Sequence, residues 1–77
     1  MFIVIEMQVN SDGTVGTLID KFEREADAES KYHTILAAAA ISNVPKHSAI
    51  ILTDEAMMHS SQCYKHEEPA NDETTNI

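Results

Sequence analysis

Cysteine occurs once in this 77-residue chain, at Cys63; glycine and proline occur twice each, and tryptophan is absent. One thiol cannot close an internal disulfide, which excludes the covalent staple of small secreted domains and leads us to expect a reducing, cytoplasmic setting. Glycine is confined to Gly13 and Gly16, so no glycine-rich loop is present to cradle phosphates. No apolar run approaches the roughly 18 to 20 residues of a membrane span, and the apolar stretch Met1 to Ile5 lacks the basic segment and small-residue cleavage site of a signal peptide. Bases are also scarce: five Lys and Arg stand against thirteen Asp and Glu, a net charge of -8. That field repels phosphate backbones, so neither direct nucleic-acid binding nor membrane insertion is expected.

What is present describes one small domain over residues 1–66, followed by an acidic stretch, 67–77, whose Pro, Asn, Thr and acids predict disorder. Residues 1 to 9 read as a strand, with Met1, Ile3, Ile5, Met7 and Val9 at the odd positions and Glu6 and Gln8 facing the other way. Phe2 and Val4 make its start apolar on both faces. Asn10-Ser11-Asp12-Gly13 is a turn cluster, and Thr14 to Phe22 resumes as a second strand, closing a hairpin. From Glu25 to Ser42 the period becomes helical: Ala28, Tyr32, Ile35, Leu36 and Ala39 recur at spacings of three and four. Asp27 and Glu29 suit the positive end of the helix dipole, and Asn43 and Pro45 predict the stop.

Lys46 to Thr53 contains the continuous run Ala49-Ile50-Ile51-Leu52 expected of a strand buried on both faces. Ala56 to His66 reads as a fourth strand, with Met57, His59, Ser61, Cys63 and Lys65 on one face and Met58, Gln62, Tyr64 and His66 on the other. The expected fold is therefore α+β, ordered β-β-α-β-β: a four-stranded antiparallel sheet, strands one and three central, with one helix on one face. A single helix leaves the other face bare. Phe2, Val4, Ile50 and Leu52 are the expected residues of that face and predict a homo-oligomer, with Leu18 beside them and Ala49 and Ile51 the alternative pair from the third strand.

The four histidines and Cys63 are the only candidates for metal or nucleophilic chemistry. Structural zinc generally requires four converging ligands, and on a regular strand His59 and Cys63 lie about 13 Å apart, so no metal or other cofactor is expected. An acidic setting does not activate a thiol, and carboxylate pairs such as Glu23 with Asp27 or Glu25 with Glu29 are accounted for by a solvated first turn; no enzyme is expected. On the helix, Glu29, His33, Ala37 and Ala40 form a face of small side chains that a second element or a ligand can approach. An assembly bringing helix ends and strand edges together would line pockets with Lys31, Tyr32, His33, His47, Tyr64 and Lys65, groups suited to a small polar ligand.

The segments AESKYHTILAAAA (28–40), HSAIILT (47–53) and CYKHE (63–67), after the hairpin DGTVGTL (12–18), resemble a group of small acidic proteins of gut Firmicutes, their phages and mobile elements. The resemblance spans residues 1–67 and implies a genomic setting, with no assigned activity and no catalytic residues. In that setting, a non-enzymatic oligomer that inhibits host defence is expected, by one of two routes. It would sequester a small signalling nucleotide through the pocket residues above, together with Lys46. Alternatively it would bind a basic defence protein, in the manner of an anti-CRISPR, through an acidic strip of Asp20, Glu23, Glu25, Asp27 and Glu29. A structural or regulatory interaction module of a mobile element is the alternative class.

Overall fold

A computed structural model of the chain describes residues 1–66; the expected disorder of 67–77 falls outside the described residues. Four strands and one helix follow in the order β1 (Phe2–Val9), β2 (Val15–Phe22), α1 (Glu25–Ile41), β3 (Lys46–Thr53) and β4 (Met58–Lys65). All neighbouring strands are antiparallel, in the spatial order β2-β1-β3-β4, so β1 and β3 are central as the sequence predicts. The helix lies across one face of this sheet and closes the core with Ala28, Tyr32, Ile35 and Ala39. Beneath it sit Val4, Ala49 and Ile51, with Phe2, Phe22 and Leu36 packed at the margin.

Both hairpins use one turn design. In the first, the Gly13 amide donates to the Asn10 carbonyl at 3.0 Å and the Asn10 amide to the Thr14 carbonyl at 2.9 Å. In the second, the Ala56 amide donates to Thr53 and the Thr53 amide to Met57, each at 2.9 Å. The residue closing such a three-residue loop adopts a left-handed conformation. Gly13 does so at φ 90° without steric cost, whereas Ala56 does so at φ 63° with a Cβ in place. The Asp12 carboxylate locks the first turn, accepting from the Thr14 amide at 3.0 Å and from its hydroxyl at 2.7 Å. These contacts, the backbone one foremost, hold the Asp12 pKa below its ordinary value.

The helix starts without a side-chain cap; instead Arg24 forms a two-pronged contact with Asp27, both distances 3.1 Å. At its far end the Ser42 amide returns to the Ala39 carbonyl, and the Ser42 hydroxyl accepts from Val44. His66 Nε2 donates to the same Ala39 carbonyl at 2.9 Å, tying the end of β4 to the last helical turn.

The face assignment of β1 differs from the sequence expectation. Val4, placed by sequence on the bare face, is 1% exposed under the helix, and Phe2 packs against the same core. Both therefore lie on the helix side of the sheet and not on its open face. The even positions of β1 face the helix because Glu6 finds a buried partner there, His47 on β3. The odd set, apolar throughout, therefore points away. The expected two-face reading of β4 is also corrected. The register slips between Ile51 and Leu52, so that Ser60 pairs with Ile51 and Met58 with Leu52 while His59 is the extra residue. From the bulge onward Met58 shares a face with Ser61, Cys63 and Lys65, and His59 turns to the helix side.

Candidate functional site

Alternation along paired strands places Ile3, Ile5, Met7 and Val9 of β1 on the face opposite the helix. Val15, Thr17, Ile19 and Lys21 of β2 join them on one side; Lys46, Ser48, Ile50 and Leu52 of β3 and Met58, Ser61, Cys63 and Lys65 of β4 on the other. The centre of this face is aliphatic and its charges, Lys21, Lys46 and Lys65, stand at the strand ends. No acid lies on it among the described residues, although the chain carries thirteen. Ile19 is 64% exposed and Met58 60%, the state of side chains with no protein layer over them. The surface is not flat. Over β3 and β4 the small side chains of Ser48, Ser61 and Cys63, with Ile50 and Met58, leave a depression of about 480 Å³. Over β2, Val15 and Ile19 are large, well-exposed side chains of the same face.

The helix side of the sheet is, by contrast, mixed. His47 is 3% exposed, and its Nε2 lies 2.6 Å from Glu6 Oε2, to which it donates; Gln8 Nε2 donates to the same oxygen at 3.2 Å. His47 Nδ1 is buried without a partner among the described residues. This buried polar pair was not legible in the sequence. Its only signal was the placement of Glu6 and Gln8 at alternate positions of an otherwise apolar strand, which ordinarily marks a solvated face. A second imidazole, His59, contacts Glu25 Oε2 at 2.8 Å through Nε2 and Ser60 Oγ at 2.9 Å through Nδ1, with the Phe2 ring edge-on at 5.8 Å.

The six residues expected to line a ligand pocket do not converge within one chain. Tyr32 is buried in the core, where burial pushes its phenol pKa up, and His33 stacks edge-on against it at 5.3 Å from the exposed side. Lys31 pairs with Asp20 at 3.6 Å. His47 is committed to Glu6, and Tyr64 stands beside it on β4, opposite in register. Lys65 lies on the other face of the sheet, directly across from Lys46. The six thus divide into a helix group, Lys31 to His33, and a strand pair, His47 with Tyr64, with Lys65 turned to the opposite face.

The acids expected to form one strip divide between the two edges of the sheet, Asp20 on β2 and Glu25 with Glu29 beside His59 of β4, and three of the five are paired. Asp20 engages Lys31, Asp27 engages Arg24 and Glu25 engages His59. The Arg24 guanidinium holds the Asp27 carboxyl below its ordinary value. Glu23 and Glu29 make no side-chain ion pair among the described residues. Of the four residues expected at an oligomer interface, Ile50 and Leu52 lie on the open face, and Phe2 and Val4 do not.

No described helix is long and apolar enough to cross a membrane. Comparison with protein-family models, with curated proteins and with solved structures finds no match.

Proposed function

We propose that this protein is a non-enzymatic binding protein that works as a homodimer or higher oligomer, its copies meeting through the sheet face opposite the helix. One observation carries the reading: the central strand β1 turns its polar residues, Glu6 and Gln8, toward the helix α1 and its wholly apolar set, Ile3, Ile5, Met7 and Val9, away from it. A strand ordinarily buries its more apolar face. Among the described residues, no further layer lies over this face.

Three features favour a second copy as that layer. Four strands about 4.8 Å apart and eight residues long at about 3.3 Å per residue present about 500 Å² per copy, or about 1,000 Å² over a pair, the lower bound of a specific interface. Two-fold pairing about an axis along the strands would set the exposed Val15 and Ile19 of one copy over the depression on β3 and β4 of the other. Finally, two chains of net charge -8 repel least when their acids are farthest apart. Back-to-back sheets achieve this, with the helices and the acids around Glu23 to Glu29 outward.

In such an assembly the outward surface is the acidic helix start, which suits a basic protein partner and supports the inhibitor reading that the sequence resemblance suggests. A second reading, capture of a small anionic ligand such as a signalling nucleotide, is favoured by the cross-strand pair Lys46 and Lys65, two cations side by side at the corner of an acid-free face. Sedimentation equilibrium tests the assembly: a defined oligomer is expected at micromolar concentration, and a monomer up to about 100 micromolar would refute it. Native mass spectrometry of protein purified from its host separates the two routes by the presence or absence of retained small-molecule mass.

A further inference from the structure

We propose a divalent-metal site built from Glu25, Glu29 and His59, at the opposite side of the molecule from the open sheet face and independent of the assembly reading. One ligand atom from each of the three residues lies within 4.8 Å of the other two. The set is assembled by three separate features of the fold. Glu25 and Glu29 stand one helical turn apart at the start of α1, so both carboxylates project from the same face of the helix. The β4 bulge supplies the imidazole: without the extra residue, His59 would sit with Cys63 on the far face of the sheet. The edge of the Phe2 ring then fixes the imidazole plane at 86° to its own.

The donor set has the character of a first-row metal site. An imidazole nitrogen with two carboxylate oxygens, and room for water at the remaining positions, suits zinc or manganese, whereas magnesium and calcium prefer oxygen alone. The second ring nitrogen is held. Ser60 Oγ lies 2.9 Å from His59 Nδ1, an outer contact of the kind that orients a ligating imidazole; with the hydroxyl accepting, the proton sits on Nδ1 and Nε2, directed at the carboxylates, is free to ligate. The His59 side chain is partly covered, 24% exposed, and remains open to solvent on one side.

Without a cation, the His59–Glu25 contact accounts for one carboxylate and leaves Glu29 facing a like charge at i,i+4, an arrangement that destabilises a helix. A bound divalent ion converts that repulsion into ligation. It also joins the helix start to the edge strand β4, so metal binding would stabilise the fold.

The test uses the full chain, stripped with a chelator and titrated with zinc by calorimetry, with magnesium as the comparison ion. One zinc per chain is expected, with affinity at least about tenfold above magnesium and a melting temperature that rises with zinc. Glu29→Gln is the discriminating variant because it leaves the His59–Glu25 contact and the core intact. It should melt close to the parent in chelator and bind zinc about tenfold or more weakly; His59→Gln, which also removes the contacts to Glu25 and Phe2, should weaken zinc binding by at least as much. Substoichiometric manganese should broaden the His59 ring signals ahead of those of His33, His47 and His66. Absence of saturable zinc binding would overturn the proposal and leave the three residues as an ion pair with a bystander. Unchanged zinc affinity in both variants, or broadening centred on another histidine, would overturn it equally.

Discussion

Val4 and Ile5 are adjacent, apolar and on the same central strand, yet the structure gives them opposite roles, and alanine at each should separate fold from assembly. Val4 is 1% exposed and enclosed by the helix, so Val4→Ala removes two buried methyl-sized groups at about 0.8 kcal/mol each and leaves a cavity, a loss of about 2 to 3 kcal/mol. A domain of this size has roughly 4 to 12 kcal/mol of stability in total, and 1 kcal/mol moves the melting temperature by about 4 to 8 °C. The expected fall is therefore about 10 to 20 °C at every protein concentration. Ile5 faces the open side. In a two-fold interface Ile5→Ala is felt in both copies at about 1.5 kcal/mol each, together about 3 kcal/mol, which raises the dimer dissociation constant about a hundredfold. At dilutions where the parent is itself monomeric, Ile5→Ala should melt within a few degrees of it. Thermal melts across a thousandfold range of concentration, paired with sedimentation equilibrium, read both quantities. The reasoning fails if Ile5→Ala leaves association unchanged, or if it destabilises the dilute monomer as much as Val4→Ala does.

Three further outcomes are expected. Glu6→Gln exchanges an ionised acceptor for a neutral one against buried His47, and Glu6→Ala leaves His47 Nε2 with no acceptor; denaturant melts should show the alanine variant about 1 to 3 kcal/mol less stable, and the glutamine variant between it and the parent. Ala56→Gly relieves a left-handed non-glycine residue and should raise stability by about 0.5 to 1 kcal/mol, whereas Gly13→Ala, at the equivalent place in the other hairpin, should lower it. Asp12 and Asp27 both have folded-state pKa values below the ordinary 3.8, through Thr14 and Arg24 respectively. Their contribution is thus present above that value and lost as pH falls through the depressed ones, and carboxyl NMR titration should place both midpoints below those of an unfolded peptide.

Most of the fold could be read from residue order. The 2.0 period of β1, the 3.6 period of α1 and the Asp12-Gly13 turn each depend on neighbours close in sequence, and all formed where those patterns lie, with ends within two residues of expectation. The continuous run Ala49 to Leu52 marked β3 as central because a strand with sheet on both sides and helix above needs no polar alternation. Local pattern narrowed the open-face residues of β3 to Ile50 with Leu52 or Ala49 with Ile51, and the burial of Ala49 and Ile51 under the helix decides for the first pair.

Which face the helix covers was decided only in three dimensions. The alternation of β1 divides its residues into two sets without saying which set meets α1, and the usual assumption, polar outward, is reversed by one contact across forty-one residues of sequence, Glu6 to His47. That contact makes the helix side tolerant of a carboxylate and releases the aliphatic set to the outside. The bulge acts in the same way on β4: one extra residue, invisible in the composition of the strand, exchanges His59 for Met58 between faces and brings an imidazole to two helical carboxylates. Sequence determines periods because backbone geometry fixes them within a few residues. Parity and register depend on which distant group satisfies a buried polar atom, and so they belong to the tertiary structure.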